Sequence, residues 1–226
     1  MKVVIGLIGF LFAWGNSGPK SGIDADIASY HWQDFYALPE AHQSIEFQAV
    51  DDKLLTAAVF YLSNQVREQY GLRPFDFDPD LQEMALYHTK AMAQFHFMGH
   101  YNEFDPKMRT PAKRAWEFDA NFSSENVGRF LLYQVEDDEP YYAAYRDGQN
   151  HFFDLAENPI PKHTYWSFAE AVMQAWLDSP SHRRNLLNPN YGTLGCAVSM
   201  SPGEQLPYTI PAAYATQNFG PISDPF

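Results

Sequence analysis

The chain has 226 residues, 46% of them hydrophobic, and carries 28 acidic against 15 basic residues, which gives a formal net charge of −13. This length suits one domain with additions, and the apolar content is sufficient for a sizeable core. The acidic excess argues against a nucleic-acid surface or an anionic membrane surface as the main partner.

The N-terminus, MKVVIGLIGFLFAWGNSG, has the layout of a secretory leader. One lysine precedes an apolar run from Val3 to Trp14, and small and polar residues follow. The run is shorter than the roughly 20 residues that a membrane-spanning helix needs. We therefore predict a leader at 1–18, cut between Ala13 and Gly18, and a secreted or periplasmic protein without a transmembrane span after cleavage. The alternative is a buried N-terminal strand or helix.

Two residues with reactive side chains are predicted to be buried. Cys196 is the single cysteine, so the chain cannot form an internal disulfide, which in an exported protein is more typical of bacteria than of animals. It lies in the apolar run Leu194–Val198 and is predicted to pack as a small hydrophobic residue. His88 lies in the apolar stripe of a predicted helix, which favours a hydrogen-bonded core histidine.

The first half of the chain is predicted to be helical. Residues 19–50 show no clear period and are predicted to form an extended N-terminal arm on a domain at 51–226. Apolar spacing predicts a first helix from about Asp51 to Tyr70. A second helix is predicted to start after Asp78 as N-cap, with Pro79 at its first position.

Two further helices are predicted. One covers about Pro106–Phe118. The other begins with Ser167 and Glu170 as a capping box and ends at Asp178-Ser179-Pro180. Between these helices, the segment at about 131–166 is predicted to be a long inserted loop, acidic at first and then rich in aromatic residues. It is either a lid packed by its own rings or a stacking platform for sugars or another flat ligand.

Two strands, Thr193–Met200 and Ala212–Phe219, close the chain and are joined by a loop containing Pro and Gly. Because the helices come first and the hairpin last, no βαβ alternation is present. The order indicates an α+β fold, or a three-layer α/β/α sandwich with a central antiparallel sheet.

Three ionisable residues are predicted to lie in turns after secondary structure: His100 in HFMGH, Glu125 in SSENVG and His182 in SPSHRR. Two imidazoles and a carboxylate can hold a metal-bound water or perform acid–base chemistry near neutral pH. Spacing alone is weak evidence for a shared site, since no HExxH, GxSxG, paired CxxC or glycine-rich phosphate loop is present.

From about Leu54 to Gly220 the chain resembles the CAP superfamily of cysteine-rich secretory, antigen 5 and pathogenesis-related proteins, in its disulfide-free bacterial branch. The elements FHFMGH, SENVG, AWLDSPSHRRNLLNPNYGTLGCAV and YATQNFG carry the resemblance, in the family's order. It implies a CAP-like α/β/α sandwich with a cleft where His100 and Glu125 face a further histidine. It also implies that a divalent, zinc-like metal is bound by histidines in some members.

The sequence departs from the four-residue site of the eukaryotic members. Tyr214 stands where the family has the histidine of its last strand, and Ser179 stands where it has a second glutamate. His182 is the candidate to complete the site, so that His100 and His182 would be the metal ligands. Each residue also has a structural interpretation: His182 as a helix-end cap, Glu125 as an acceptor within its turn, and His100 as an ordinary loop residue.

Three functions are compatible with these residues. The first is an exported binding module that captures a lipid, glycan, peptide or other small molecule in the His/Glu cleft. The second is a hydrolase, either metal-assisted through His100 and His182 with Glu125 as base, or metal-free with Glu125 and a histidine as an acid–base pair. The third is a structural protein of the cell envelope. Because no serine or cysteine nucleophile has a partner base, we favour the binding module.

Overall fold

The computed structural model describes residues 30–136, 138–200 and 209–222. The predicted leader at 1–18 and most of the loop between the last two strands lie outside these residues. Within the described part of the chain, no helix is both long enough and apolar enough to cross a bilayer.

The described residues form six helices and six strands in a mixed order. The helices are α1 (Trp32–Tyr36), α2 (Asp52–Gln69), α3 (Pro79–Phe95), α4 (Pro111–Glu117), α5 (Tyr165–Asp178) and α6 (Pro180–Leu186). The strands are β1 (Asp76–Phe77), β2 (Ser124–Leu131), β3 (Tyr142–Arg146), β4 (Gln149–Phe153), β5 (Tyr191–Met200) and β6 (Ala212–Pro221). Two short 3₁₀ helices, Pro39–His42 and Phe47–Ala49, lie between α1 and α2.

The main sheet has the strand order β1-β5-β6-β2. Strands β5, β6 and β2 are antiparallel neighbours, and β1 adds a parallel edge to β5. Strand β2 is the opposite edge, and its register places Glu125 beside Asn218 and Asn126 beside Gln217. This edge carries the candidate site.

Helices cover both faces of this sheet, as the alternation along β5 shows. Leu194, Cys196 and Val198 point into the main core, which α2 and α5 complete. On the other face α3 packs on β5 and β6. Gly195 permits this close approach, because a Cβ there would overlap the backbone nitrogen of Gln82 in α3. The predicted α+β class and three-layer arrangement are confirmed, and so is the burial of Cys196.

The helix starts follow from their capping residues. The Asp51 side chain accepts hydrogen bonds from the Lys53 and Leu54 amides, and Asp78 caps α3 in the same way, with Pro79 in its first position, as predicted. The predicted start of the fourth helix is wrong. Thr164 is the N-cap of α5, and Ser167, the third residue of the helix, completes its capping box. The helix therefore begins ahead of Ser167.

The chain around His182 is helical, which corrects the prediction of a turn. Helix α5 ends at Asp178 as predicted, but Pro180 starts the short helix α6, of which His182 is the third residue. Proline suits a first helical position, because its fixed φ is already helical and its missing N–H would lack a partner there anyway. The third predicted helix is also shorter than expected, at Pro111–Glu117.

The predicted extended arm is only partly correct. The described part, 30–50, contains α1 and the two 3₁₀ helices, and Phe35 of α1 stacks on Tyr61 of α2 at a centroid distance of 4.8 Å. The aromatic segment before α5, predicted as a loop, contains the hairpin β3–β4. Asp147 and Gly148 form its turn with φ of 53° and 81°, as a two-residue turn of the type favoured in hairpins requires.

Candidate functional site

His100 and Glu125 are in direct contact at the β2 edge of the sheet. His100 lies in the loop after α3, and its Nδ1 is 2.9 Å from Oε1 of Glu125 in β2. The His100 side chain is 43% exposed, whereas that of Glu125 is 2% exposed. Because an ionised carboxylate only accepts hydrogen bonds, Nδ1 of His100 carries the proton. In the neutral ring, Nε2 is then the nitrogen that can accept a hydrogen bond.

The carboxylate of Glu125 also binds a buried arginine. Nη2 of Arg114, in α4, donates to both oxygens of Glu125 at 2.8 and 3.0 Å. The same nitrogen donates to the His100 carbonyl at 3.1 Å, and Nη1 donates to the Met108 carbonyl at 3.1 Å. Arg114 therefore fixes both the carboxylate and the loop that presents His100.

Glu125 is held in its ionised form. Burial alone raises the pKa of this carboxyl, but the hydrogen bond from His100 and the charge of Arg114 outweigh burial and lower the pKa below its ordinary value. The predicted turn location of Glu125 is wrong, because the residue lies in strand β2. Its alternative role, accepting hydrogen bonds within a turn, is replaced by an ion pair.

His88 contributes a second imidazole on the buried side of Glu125. Its Nε2 donates to the Gly99 carbonyl at 2.8 Å and lies 4.0 Å from Oε1 of Glu125. Burial lowers the pKa of His88 to about 4, against the opposing charge of Glu125. The ring is thus neutral and fully buried, as predicted for a core histidine, although Nδ1 has no partner among the described residues.

The loop after α3 has a backbone that orients His100. His96 ends the helix in the left-handed region at φ 55°, and Gly99 has φ 152°, a value that favours glycine. The Gly99 carbonyl is the acceptor for His88. Backbone and side-chain contacts thus converge on the residue immediately before His100.

Helix α6 is tied to β2 by side-chain amides, which bring His182 to the same edge. Nδ2 of Asn126 donates to the His182 carbonyl at 3.3 Å. Nδ2 of Asn185 donates to Oδ1 of Asn126 at 2.9 Å and to the Glu125 carbonyl at 3.4 Å. Burial, and then the charge of His100, lower the pKa of His182. The backbone of His182 is thus fixed to the β2 edge that carries Glu125.

The amide contacts continue into the core. Nδ2 of Asn126 also donates to Oε1 of Gln217 at 3.1 Å, and Nε2 of Gln217 donates to Oγ of Ser63 in α2 at 2.7 Å. Asn126 and Gln217 are both fully buried. This chain of hydrogen bonds links α6, β2, β6 and α2, so the position of His182 depends on the packing of the whole sandwich.

The structure thus brings His100 and Glu125 into contact, and it ties the backbone of His182 to Asn126, the neighbour of Glu125 in β2. It also adds Arg114 and His88, which the sequence did not indicate as parts of the site. The two replaced family positions hold no acid or imidazole: Tyr214 is 3% exposed and packs with Met92 and Val127, and Ser179 is the N-cap of α6.

These residues do not fit a zinc-like metal centre. Zinc sites in proteins use four protein ligands, or three with an open position. Here Nδ1 of His100 donates a hydrogen bond to Glu125, and the Glu125 carboxylate also accepts hydrogen bonds from Arg114. That leaves the two imidazoles of His100 and His182. Within the described residues no group of three or more His, Cys, Asp or Glu side chains is arranged to hold a metal.

The arrangement also limits the chemistry available to Glu125. A general base must reach the proton that it abstracts. This carboxylate is 2% exposed and already accepts three hydrogen bonds, so its contacts suit positioning of His100. The half-exposed His100 ring can exchange a proton or a hydrogen bond with a ligand through Nε2.

Comparison with known proteins gives a consistent family assignment. The model of the CAP, cysteine-rich secretory protein family matches residues 60–219. No curated protein matches the chain.

Three similar solved structures come from bacteria. One is an extracellular SCP-domain protein of Bacillus anthracis, with 20% identity and a TM-score of 0.47; the match covers 74% of this chain and 40% of that one. Another is an outer surface protein of Borrelia burgdorferi, with 16% identity and a TM-score of 0.46, covering 75% of this chain and 95% of that one. The third is the CAP domain of enterococcal PrgA, with 17% identity and a TM-score of 0.45, covering 84% of this chain and 69% of that one. The chain thus spans less than half of the Bacillus protein. Because the family match covers most of its residues, the chain belongs to the CAP, cysteine-rich secretory protein family.

Proposed function

We propose that the chain is an exported binding protein whose His100 site captures a ligand outside the cell or in the cell envelope. The observation that carries this proposal is the contact between His100 and the buried Glu125–Arg114 pair. It fixes the imidazole while 43% of the His100 side chain remains exposed. A preorganised polar group at a surface is what a binding site needs to give orientation at low entropic cost.

The side chains around His100 indicate the kind of ligand. Four large apolar side chains on the same segment are strongly exposed: Phe95 at 42%, Met98 at 61%, Tyr101 at 59% and Phe104 at 56%. Phe95 and Phe104 stack at 4.5 Å, so part of this set forms one surface. Exposed apolar clusters of this kind mark interaction sites. The ligand would combine apolar surface with a polar group for the imidazole, as a lipid or an apolar peptide does.

Location outside the cytoplasm rests on the sequence and on the family. The N-terminal residues predict a leader, and two of the similar structures are described as an extracellular and an outer surface protein. The hydrolase alternative has less support. Glu125 is buried in an ion pair with Arg114, and the described residues contain no group of three or more side chains that could hold a metal.

The binding test uses a fluorescent fatty acid and an apolar fluorescent peptide as probes. We expect binding of at least one of them, weakened about tenfold or more by His100→Ala and by Phe104→Ser, as for anchors at the centre of an interface. Leu155→Ser is the matched control, since Leu155 is equally apolar and 70% exposed but lies after the hairpin. No binding of either probe, or equal weakening by the control, would contradict the proposal.

Catalysis and metal binding are tested separately. We expect the parent protein to turn over neither peptides nor glycans, and we expect purified protein to contain no stoichiometric zinc. Turnover of a peptide or glycan that is abolished by Glu125→Gln would favour the hydrolase instead.

A further inference from the structure

A second region has the features of a binding site and lies apart from His100. A pocket of about 450 Å³ opens between the β3–β4 hairpin, the 3₁₀ helix at Phe47–Ala49 and the end of β2. Its size is within the range of small-molecule sites. His100, Glu125 and His182 do not line it. A ligand in this pocket would therefore not contact these three residues.

The hairpin turns one face toward this pocket. Tyr145 and Asn150 are directly opposite each other in the hairpin register, so their side chains share a face, and Phe152 follows two residues later on the same side. All three line the pocket. Phe152 is 3% exposed and forms the base, whereas Tyr145 is 60% exposed and stands at the open rim.

Aromatic rings supply flat apolar walls. Tyr133 contacts Phe152 edge-on at a centroid distance of 4.9 Å, and both line the pocket together with Phe47. With Tyr145 at the rim, aromatic rings are contributed by three segments of the chain. Rings held in place by packing offer contact area at little entropic cost.

Amide side chains supply the polar contacts. Gln48, Gln149 and Asn150 line the pocket. Each amide group can both donate and accept a hydrogen bond, so together they favour a ligand that carries hydroxyl or amide groups.

The described residues that line the pocket carry no unpaired charge. Lys162 is the one charged side chain among its described lining residues, and its Nζ forms an ion pair with Oε2 of Glu46 at 2.6 Å. Among the described lining residues, no unpaired cation is left for a phosphate or carboxylate, and no carboxylate is left for an amine. The ligand that complements the pocket is therefore uncharged, and it has both hydroxyl or amide donors and an apolar ring face.

We propose that this pocket, formed by the face of the β3–β4 hairpin that carries Tyr145 and Asn150, binds a neutral saccharide. Pyranose rings combine the two required features: one face of C–H groups that stacks on aromatic rings, and equatorial hydroxyls that donate to and accept from amides. An acyl chain would leave the amides without partners, and a nucleotide would need an unpaired cation.

The test is titration of the full chain with three neutral oligosaccharides, namely chitotriose, cellotriose and maltotriose, by calorimetry and by NMR. We expect at least one to bind, and we expect Tyr145→Ala and Asn150→Ala each to weaken it roughly tenfold. Tyr142→Ala is the matched control, because Tyr142 is an exposed tyrosine on the opposite face of the same hairpin. His100→Ala should leave saccharide binding unchanged, which separates this site from the proposed function.

Three results would overturn the proposal. One is the absence of binding by all three saccharides at millimolar concentration. Another is binding that Tyr145→Ala and Tyr142→Ala reduce equally. The third is binding of decanoate at this pocket, lost in Tyr145→Ala, which would assign the pocket to an acyl chain instead. Thermal unfolding of each variant verifies that the comparison is made between folded proteins.

Discussion

Two fully buried arginines anchor two different regions of the molecule, and their partners differ in kind. Arg67 of α2 donates to the carbonyls of Leu186 and Tyr191, and its guanidinium lies 3.9 Å from the ring centroid of Phe75. Burial lowers the pKa of Arg67 to about 10, which is still far above neutral pH. Arg67 thus connects α2 to the end of α6 and the start of β5 through hydrogen bonds to backbone carbonyls, and its charge also lies against the ring of Phe75.

Arg114 has the same burial but a full negative charge as its partner. Its guanidinium donates to both oxygens of Glu125, and that carboxylate accepts a further bond from His100. Arg67 therefore only connects neighbouring segments of the chain, whereas Arg114 connects segments and, through Glu125, also holds the His100 ring at the surface. Both regions contain a buried arginine. Only the region around Arg114 also has a carboxylate, and that carboxylate is what holds the exposed histidine.

The largest expected effect is that of Arg114→Met. This variant leaves Glu125 buried without its cation, which typically costs about 3–5 kcal/mol of unfolding free energy. Urea denaturation measures it. Arg109→Met is the control, since Arg109 pairs with Glu103 at the exposed surface and should cost less than about 1 kcal/mol.

A double variant sharpens this prediction. Adding Glu125→Gln to Arg114→Met removes the stranded charge, and we expect it to restore about 1 kcal/mol or more. If Arg114→Met costs less than about 1 kcal/mol, the carboxylate is not the buried ion described here.

The second effect is that of Arg67→Met. This variant leaves several buried carbonyls without a hydrogen-bond donor but leaves no buried charge unpaired. We therefore expect the free energy of unfolding to fall by about 2–4 kcal/mol, less than in Arg114→Met. The NMR signals of His100 should not move, because Arg67 does not contact that site. A shift of those signals comparable with that in Arg114→Met would break the distinction between the two regions.

The third effect is a pH dependence that originates near Glu125. His88 faces Glu125, Arg114 and His100, and burial lowers its pKa from 6.5 to about 4. Between these values the unfolded state binds more protons than the folded state, so stability is present above pH 6.5 and is lost as the pH falls toward 4. We expect His88 to account for a loss of about 1–2 kcal/mol between pH 7 and pH 5.

Urea denaturation at both pH values, on the parent and on His88→Gln, measures this contribution. The buried His163, whose pKa burial also lowers to about 4, adds a loss in the same direction that His88→Gln leaves in place. A pH dependence unchanged in His88→Gln would contradict the assignment.

The smallest expected effect is that of His182→Ala on stability. Its ring is half-buried on a short helix, and the contact that ties this position to Asn126 uses the backbone carbonyl. We expect a change below about 1 kcal/mol in unfolding free energy. A loss above about 2 kcal/mol would make His182 a structural residue rather than a site residue.

Local chemistry carries most of the fold information in this sequence. Asp51 and Asp78 mark helix starts because their carboxylates cap free amides at short range. The hairpin also has a local signal, Asp147-Gly148, but the preceding acidic run favours the interpretation as a loop. Capping at Thr164 is harder to recognise, because its partner is Ser167 rather than Glu or Gln.

The candidate site depends on contacts that the sequence shows only in part. The family motifs indicate His100 and Glu125, but the partner of the carboxylate, Arg114, has no motif that distinguishes it from a surface arginine. The contribution of His88 is equally hidden, because periodicity gives its burial but not its distance from Glu125. Both are long-range consequences of how α3 and α4 pack beside β2.

The central claim is that a buried, ionised Glu125 holds the His100 ring with its proton on Nδ1. Long-range ¹⁵N–¹H NMR correlation spectra of the neutral histidine rings test this directly, with Glu125→Gln used to assign the responsive ring. We expect neutral His100 to be protonated at Nδ1 in the parent protein, and we expect this preference to weaken in Glu125→Gln. A neutral His100 protonated at Nε2 in the parent protein would contradict it.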